Sequence, residues 1–573
     1  MTQKIVFRNG RIFSHKKDAP TEDQFSGSFV VSGDTITHVG YEADEAVRAA
    51  KEEGAEVIDL QGRVVLPGFI DGHTHFLLFG LARQKLDLSD CRTFEDIEDS
   101  LRTYSKAHPE LPRLLCRGWH QPSTNRKALA SMIDHIDSRP IFIEALDLHS
   151  TWCNTAALNE LGVKAIPDPM GGKIHRDENG QPSGLLDETA QTGIVWPHLM
   201  NVCTMEERLY ALDDALRVYL ESGYTGLVDM AMDNGAWEAL RLLRARQGIP
   251  IHIAAHWYIP FINDDDELSG HIEEAIAKHQ EFHPSDSPDF CVVGIKIISD
   301  GVVDGCTAAL SHPYLQIDGA TCVNPTWSVE SLRKVVKRAV EAGLQVAIHA
   351  VGDMAIKQAI DSIAATNMPN RRHRIEHLEL ASVEDAKRLG QLGITASVQP
   401  VHSDPALTKD YPRILQPHLW ERAFPYREYL EGNACLAFGT DAPTARHLPL
   451  PNLYNATVRK SALEPQSDQM TNPDGAITLL QAVSAATYGA AYSRFAEGWV
   501  GSIAANHRAD FLVLETEWTP ETLLNAKADT CGGRPAVLHW LLGVESDSPK
   551  PRHIRGESTE FKSNINHTNY DFL

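Results

Sequence analysis

From Pro67 to about residue 500 the chain alternates short apolar runs with amphipathic stretches, as in SLRKVVKRAVEAG before LQVAIHA and HRIEHLEL before VEDAKRLGQLG. Strands separated by helices cannot pair as hairpins. Each helix returns the chain to the same edge, so the sheet is parallel and the fold class is α/β. Connections such as SIAATNMPNRR and QLGITASVQP are short enough for sequential βα units of about 30 residues. The first 65 residues differ in texture: KIVFRNGRIF, FVVSGDTITHVG and EVIDLQGRVVL alternate apolar and polar at period two between turn signals. ADFLVLE (509–515) is a further strand near the other end. The two ends are therefore expected to build one composite β-sandwich from 1–65 and 500–545, with 66–499 inserted between its halves. The polar, Pro-containing stretch 546–573 reads as a C-terminal surface tail.

With 573 residues, the chain is long enough for several domains, although one barrel with insertions absorbs more than about 400. Lys and Arg total 53 against 77 Asp and Glu, a net charge of −24 that repels phosphate backbones and anionic lipid. Nucleic acid and membrane are thus not expected as partners; a small-molecule substrate is, and homo-oligomerisation is left open. Nine scattered cysteines form no CxxC pair, which fits a reduced compartment. The start, MTQKIVFRNGRIF, lacks an apolar h-region, and no run of about 18 apolar residues occurs. A soluble, cytoplasmic protein is expected.

VVLPGFIDGHTHF carries an apolar strand into His73 and His75, which project to the same side because side chains alternate along a strand. Both imidazoles can meet one metal ion. In CVVGIKIISDG, Lys296 stands between Ile295 and Ile297, where an ammonium is desolvated. Its amine either becomes nucleophilic and able to take up carbon dioxide as a carbamate, or stays cationic by snorkelling or pairing with Asp300. His349 ends QVAIHA, His377 ends HRIEH, and Asp441 follows the strand in ACLAFGTDAP. Separations of 53, 28 and 64 residues between Lys296, His349, His377 and Asp441 match roughly two, one and two βα units. These side chains would therefore arrive at successive strand ends and converge on one divalent-metal site.

Through DGHTH (71–75), Lys296, His349, His377 and the Asp441 of GTDAP, nearly the whole chain resembles the amidohydrolase superfamily. GW at 118–119, LDLHSTWCNTAAL (146–158), GGKIHRDENGQPSGLLDETA (171–190) and the SDG after the lysine make it similar to the type 3 amidohydrolases that include N-substituted formamide deformylases. The resemblance implies a (β/α)8 TIM-like barrel with the composite sandwich. It also implies that His73, His75 and Asp441 hold one metal, His349 and His377 a second, and carboxylated Lys296 bridges them. From 75 to 296 is 221 residues, far beyond three βα units, so an insertion around 80–290 is expected before Lys296. It carries His149, Trp119, Trp152 and Glu188, which the resemblance makes pocket residues or, for the tryptophans, core aromatics. His312 and His402 are further substrate-binding candidates.

Nitrogen, carboxylate and carbamate donors suit two Zn2+ ions, with Mn2+, Fe2+ or Ni2+ as alternatives. The expected reaction is hydrolysis of a non-peptide carbon–nitrogen bond in a small amide or N-substituted formamide, with Asp441 and Lys296 as catalytic residues. Ester or lactone hydrolysis and deamination use the same ligand set, and a catalytically inactive scaffold is the reading from another class. No G-x-S-x-G, G-x-x-x-x-G-K-[ST], H-E-x-x-H or G-x-G-x-x-G is found, so serine-hydrolase and nucleotide-binding readings fall away.

Overall fold

Eight parallel strands run Phe69–Thr74, Tyr224–Met232, His252–Tyr258, Phe290–Ile298, Gln345–Ala350, Arg374–His377, Thr395–Val398 and Leu436–Phe438, hydrogen-bonded in that order. The computed structural model in which they are seen describes residues 3–15, 24–125, 127–146, 150–169, 172–188, 190–315, 322–368, 371–514, 519, 522–523 and 537–539. The tail expected at 546–573 lies outside the described residues. Helices cover the outside of the sheet, which is why strands such as Phe290–Ile298 and Gln345–Ala350 read as largely apolar. Helix Val329–Glu341 is typical: Leu332, Val335, Val336, Ala339 and Val340 are buried at helical spacing, each large side chain contributing about 1.5–3 kcal/mol. Ser328 caps its start by accepting from Ser331 N.

The first and eighth strands meet where bulk is least tolerated. A Cβ on Gly72 would lie 2.6 Å from Phe438 O, and one on Gly439 would collide with the backbone of His73. Two glycines therefore let these strands close on each other. The amides of Thr440 and Asp441 then donate to His73 O at 3.1 and 2.7 Å.

Both chain ends build the sandwich. Phe511–Leu514 pairs antiparallel with Val64–Pro67, which is parallel to Arg11–Phe13. The facing sheet holds Lys4–Arg8, Ser28–Ser32, Thr35–Gly40 and Glu56–Asp59. Their common core includes Phe7, Phe29, Ile36, Val65, Phe511 and Val513, with Phe7 stacked on Phe29 at 4.6 Å and edge-on to Phe511 at 5.2 Å.

The insertion is shorter than its sequence limits suggest. A separate six-stranded sheet spans Leu86 to Glu188, whereas the second and third barrel strands lie at Tyr224–Met232 and His252–Tyr258, inside the stretch assigned to the insertion. Buried on both faces, these strands carry Asp229, His252 and His256 within them but end on Met232 and Tyr258, so neither closes on a metal-type residue. Lys85, just past the first barrel helix, ties the inserted sheet down through Glu144 Oε2 at 2.6 Å. None of the described helices is long and apolar enough to cross a membrane.

Candidate metal centre

The first barrel strand delivers His73, and His75 follows it at the start of helix Phe76–Arg83. The GTDAP turn brings Asp441 to them: Oδ1 lies 3.0 Å from His75 Nε2 and 3.4 Å from His73 Nε2. The His377 ring stands 5.1 Å from that of His73 and 4.2 Å from that of His349. His73, His377 and Asp441 each offer a ligand atom within 4.8 Å of the others. Lys296, on the fourth strand, is 2 % exposed and interacts electrostatically with Asp441, His349 and His377. The structure thus gathers His73, His75, Lys296, His349, His377 and Asp441 at the C-terminal end of the barrel.

Hydrogen bonds on the far side of each ring decide which nitrogen faces inward. His73 Nδ1 donates to Glu376 Oε2 (2.7 Å) and His75 Nδ1 to Met230 O (2.6 Å). His349 Nε2 donates to Gly301 O (3.2 Å). Each leaves the other ring nitrogen with its lone pair, the arrangement of ligating histidines. His73 Nε2 and Asp441 Oδ1 are fully buried and make no hydrogen bond, a costly state for polar atoms that a shared cation relieves. On these grounds the residues present fit a divalent metal.

The electrostatics agree with this geometry. Burial drives His349 down to about 3, with Lys296 adding to the effect, and burial together with His349 holds His377 well below its ordinary range. Burial pushes the Asp441 carboxyl up, but His73 and His75 outweigh it and keep Asp441 ionised well below the carboxylate range. Burial lowers the Lys296 ammonium to about 8 against the pull of Glu376 and Asp441. Lys296 does not pair with Asp300, whose oxygens accept from the amides of Ala309, Val351 and Gly352 at 2.8–3.0 Å. The backbone is strained here as well: His377, Leu378 and Asp441 have φ of +73°, +55° and +60°, conformations costing about 1–3 kcal/mol each.

Among the other candidates, His402 reaches the site. Its Nε2 is 3.8 Å from Asp441 Oδ2 and its ring lies parallel to His377 at 5.9 Å. His312 is exposed and packs on His418 at 4.8 Å. Trp119 does not line the barrel mouth. It is 1 % exposed and packs against Trp152 at 5.2 Å inside the inserted sheet's own core, where burying a ring is worth more than exposing it. Glu188 ends a strand of that sheet, and His149 lies outside the described residues.

Several residues near the site are not among the sequence candidates, although Asp71 opens the DGHTH motif. Asp71 accepts from Thr440 N and Oγ1 at 2.9 and 2.6 Å and so locks the GTDAP turn to the first strand. Glu379 holds Tyr411 Oη at 2.7 Å and stands 3.9 Å from His402 Nδ1; burial, with Asp304 and Asp300 nearby, pushes its carboxyl up to about 8. Arg374 and Glu376 form a buried ion pair beneath His73. In HRIEHLEL these are charged residues on a strand, the same signal that singled out Lys296.

The model of the amidohydrolase family matches residues 56–531, and the chain belongs to that family. It is accordingly a hydrolase acting on carbon–nitrogen bonds. Protein LONG AFTER FAR-RED 3 of Arabidopsis thaliana is 28% identical over 92% of this chain and 91% of its own length. N-substituted formamide deformylase of Arthrobacter pascens is 25% identical over 85% and 90%. Among solved structures, an uncharacterized metal-dependent hydrolase from Pyrococcus horikoshii superposes with a TM-score of 0.74 at 22% identity, covering 91% of this chain and 99% of that one, which establishes the shared fold.

Proposed function

We propose that the chain hydrolyses a small amide or N-substituted formamide at a pair of divalent ions, with Zn2+ the first choice. The observation that carries this is the pair of buried, unbonded atoms His73 Nε2 and Asp441 Oδ1 facing each other within 3.4 Å. His73, His75 and Asp441 would hold one ion, His349 and His377 the other, and Lys296 would bridge them as a carbamate. That group forms when the neutral amine nitrogen bonds to the carbon of CO2, one C–O π pair moves onto oxygen, and the nitrogen releases a proton. When bound, the ions supply Lewis acidity, lowering the pKa of water toward neutrality and polarising the substrate carbonyl.

Asp441 turns Oδ1 toward His73 and His75, which leaves Oδ2 to take the proton of the attacking water and return it to the leaving nitrogen. The amine can depart only once protonated. His402 lines the Oδ2 side and would contact the substrate, with Glu379 behind it; His149, Glu188 and His312 are proposed as further substrate-binding residues. The relative from Arthrobacter pascens supports formamides as the first substrates to try. A cytoplasmic enzyme, with a homo-oligomer allowed, completes the reading.

The test is a panel of N-substituted formamides, N-acyl amines, esters and lactones offered to zinc-loaded, chelator-stripped and re-zincated protein. Turnover of at least one amide, lost on stripping and regained with zinc, is the expected result. Turnover restricted to esters or lactones would move the reaction class, and a metal-replete protein inert to every compound would favour the scaffold.

A further inference from the structure

Arg374 and Glu376 stand two residues apart on the sixth barrel strand, with side chains fully excluded from solvent. The guanidinium grips the carboxylate through both oxygens, Nε to Oε1 at 2.9 Å and Nη2 to Oε2 at 3.0 Å. Its remaining donors go to Gly72 O (2.6 Å), Ser397 Oγ (2.7 Å) and Ser493 Oγ (3.0 Å). Glu376 Oε2 in turn accepts from His73 Nδ1 at 2.7 Å. Apolar residues of similar volume often serve stability as well as a buried ion pair, so stability alone does not account for this one. Its contacts converge on one short segment: Arg374 holds the main chain at Gly72, and Glu376 holds the side chain of the next residue.

We infer that Arg374 and Glu376 are a positioning pair that fixes the tautomer and ring orientation of His73 and thereby sets the affinity of the site for its cation. This rests on the metal reading above. An ionised carboxylate can only accept, so the His73 proton sits on Nδ1; the Gln399 amide, 3.2 Å from the same nitrogen, then turns its oxygen toward that N–H, and the Nε2 lone pair faces Asp441. The bidentate guanidinium keeps the carboxylate ionised and aimed, which the single ammonium of lysine does not reproduce. A glutamine at 376 can donate to Nδ1 and so admits the opposite tautomer, whose Nε2 carries hydrogen and cannot bind a cation.

Zn2+ affinity, measured by chelator competition, is expected to fall about 10–100-fold in Glu376→Gln and to recover in part in Glu376→Asp. The visible spectrum of the Co2+-loaded protein should shift in the former. Wild-type affinity together with an unaltered Co2+ spectrum in Glu376→Gln would overturn the inference. If that variant does not fold, 15N shifts of His73 in metal-free wild-type protein decide: a proton on Nδ1 supports the pair and a proton on Nε2 refutes it. Failure of wild-type protein to bind Zn2+ or Co2+ would instead refute the metal reading, leaving the 15N result to judge the pair separately.

Discussion

Asp441→Asn should retain its metal and lose turnover by about 10²–10⁴-fold, the contribution of a positioned acid–base group. The substitution preserves shape and an oxygen for the cation but removes the basic site. The effect should fall on kcat, because the carboxylate acts on the proton in flight and not on the bound substrate. In free energy this is about 3–5 kcal/mol. Three features hold the aspartate ready for proton transfer. Its amide is tied to His73 O, its φ is +60°, and the two neighbouring rings keep it ionised. Metal analysis and steady-state kinetics on the same preparation check this. Unchanged amidase activity with metal bound would remove Asp441 from its role.

Lys296→Ala should lose both metal and activity. The side chain is buried in the fourth strand between Ile295 and Ile297, which are themselves fully buried, so no neighbouring residue can swing in to replace it. Alanine leaves space where a two-oxygen bridge is proposed, and formate, acetate or propionate should restore part of both properties by occupying it. Elemental analysis with and without the acid is the readout. A full metal complement in Lys296→Ala would contradict bridging.

The barrel and the gathering of its polar residues are legible in the sequence because the proposed histidine and aspartate ligands lie at or just past the ends of apolar runs and Lys296 interrupts one, and a polar residue in or at the end of an otherwise buried strand stands out. The composite sandwich is legible for a related reason: a period-two strand at 509–515 needs partners, and the amino-terminal strand Val64–Pro67 takes one of its edges, with Val537–His539 on the other. What the pattern hides lies inside the barrel. Arg374 and Glu376 alternate with Ile375 and His377 along one strand, and alternation cannot distinguish a polar barrel interior from water. The insertion reads too long because Tyr224–Met232 and His252–Tyr258 carry no terminal ligand to mark them as barrel strands. Trp119 reads toward the pocket because an indole suits a substrate wall and a core equally well, and only contacts such as its packing on Trp152 separate the two.

The proposed chemistry requires cations lying among these six side chains. Anomalous diffraction collected at the metal edge from crystals of catalytically active protein tests this most directly. The expected map has its strongest peaks enclosed by His73, His75, His349, His377 and Asp441, with Lys296 extended by a carboxyl group. Active crystals whose anomalous peaks all lie elsewhere would contradict it.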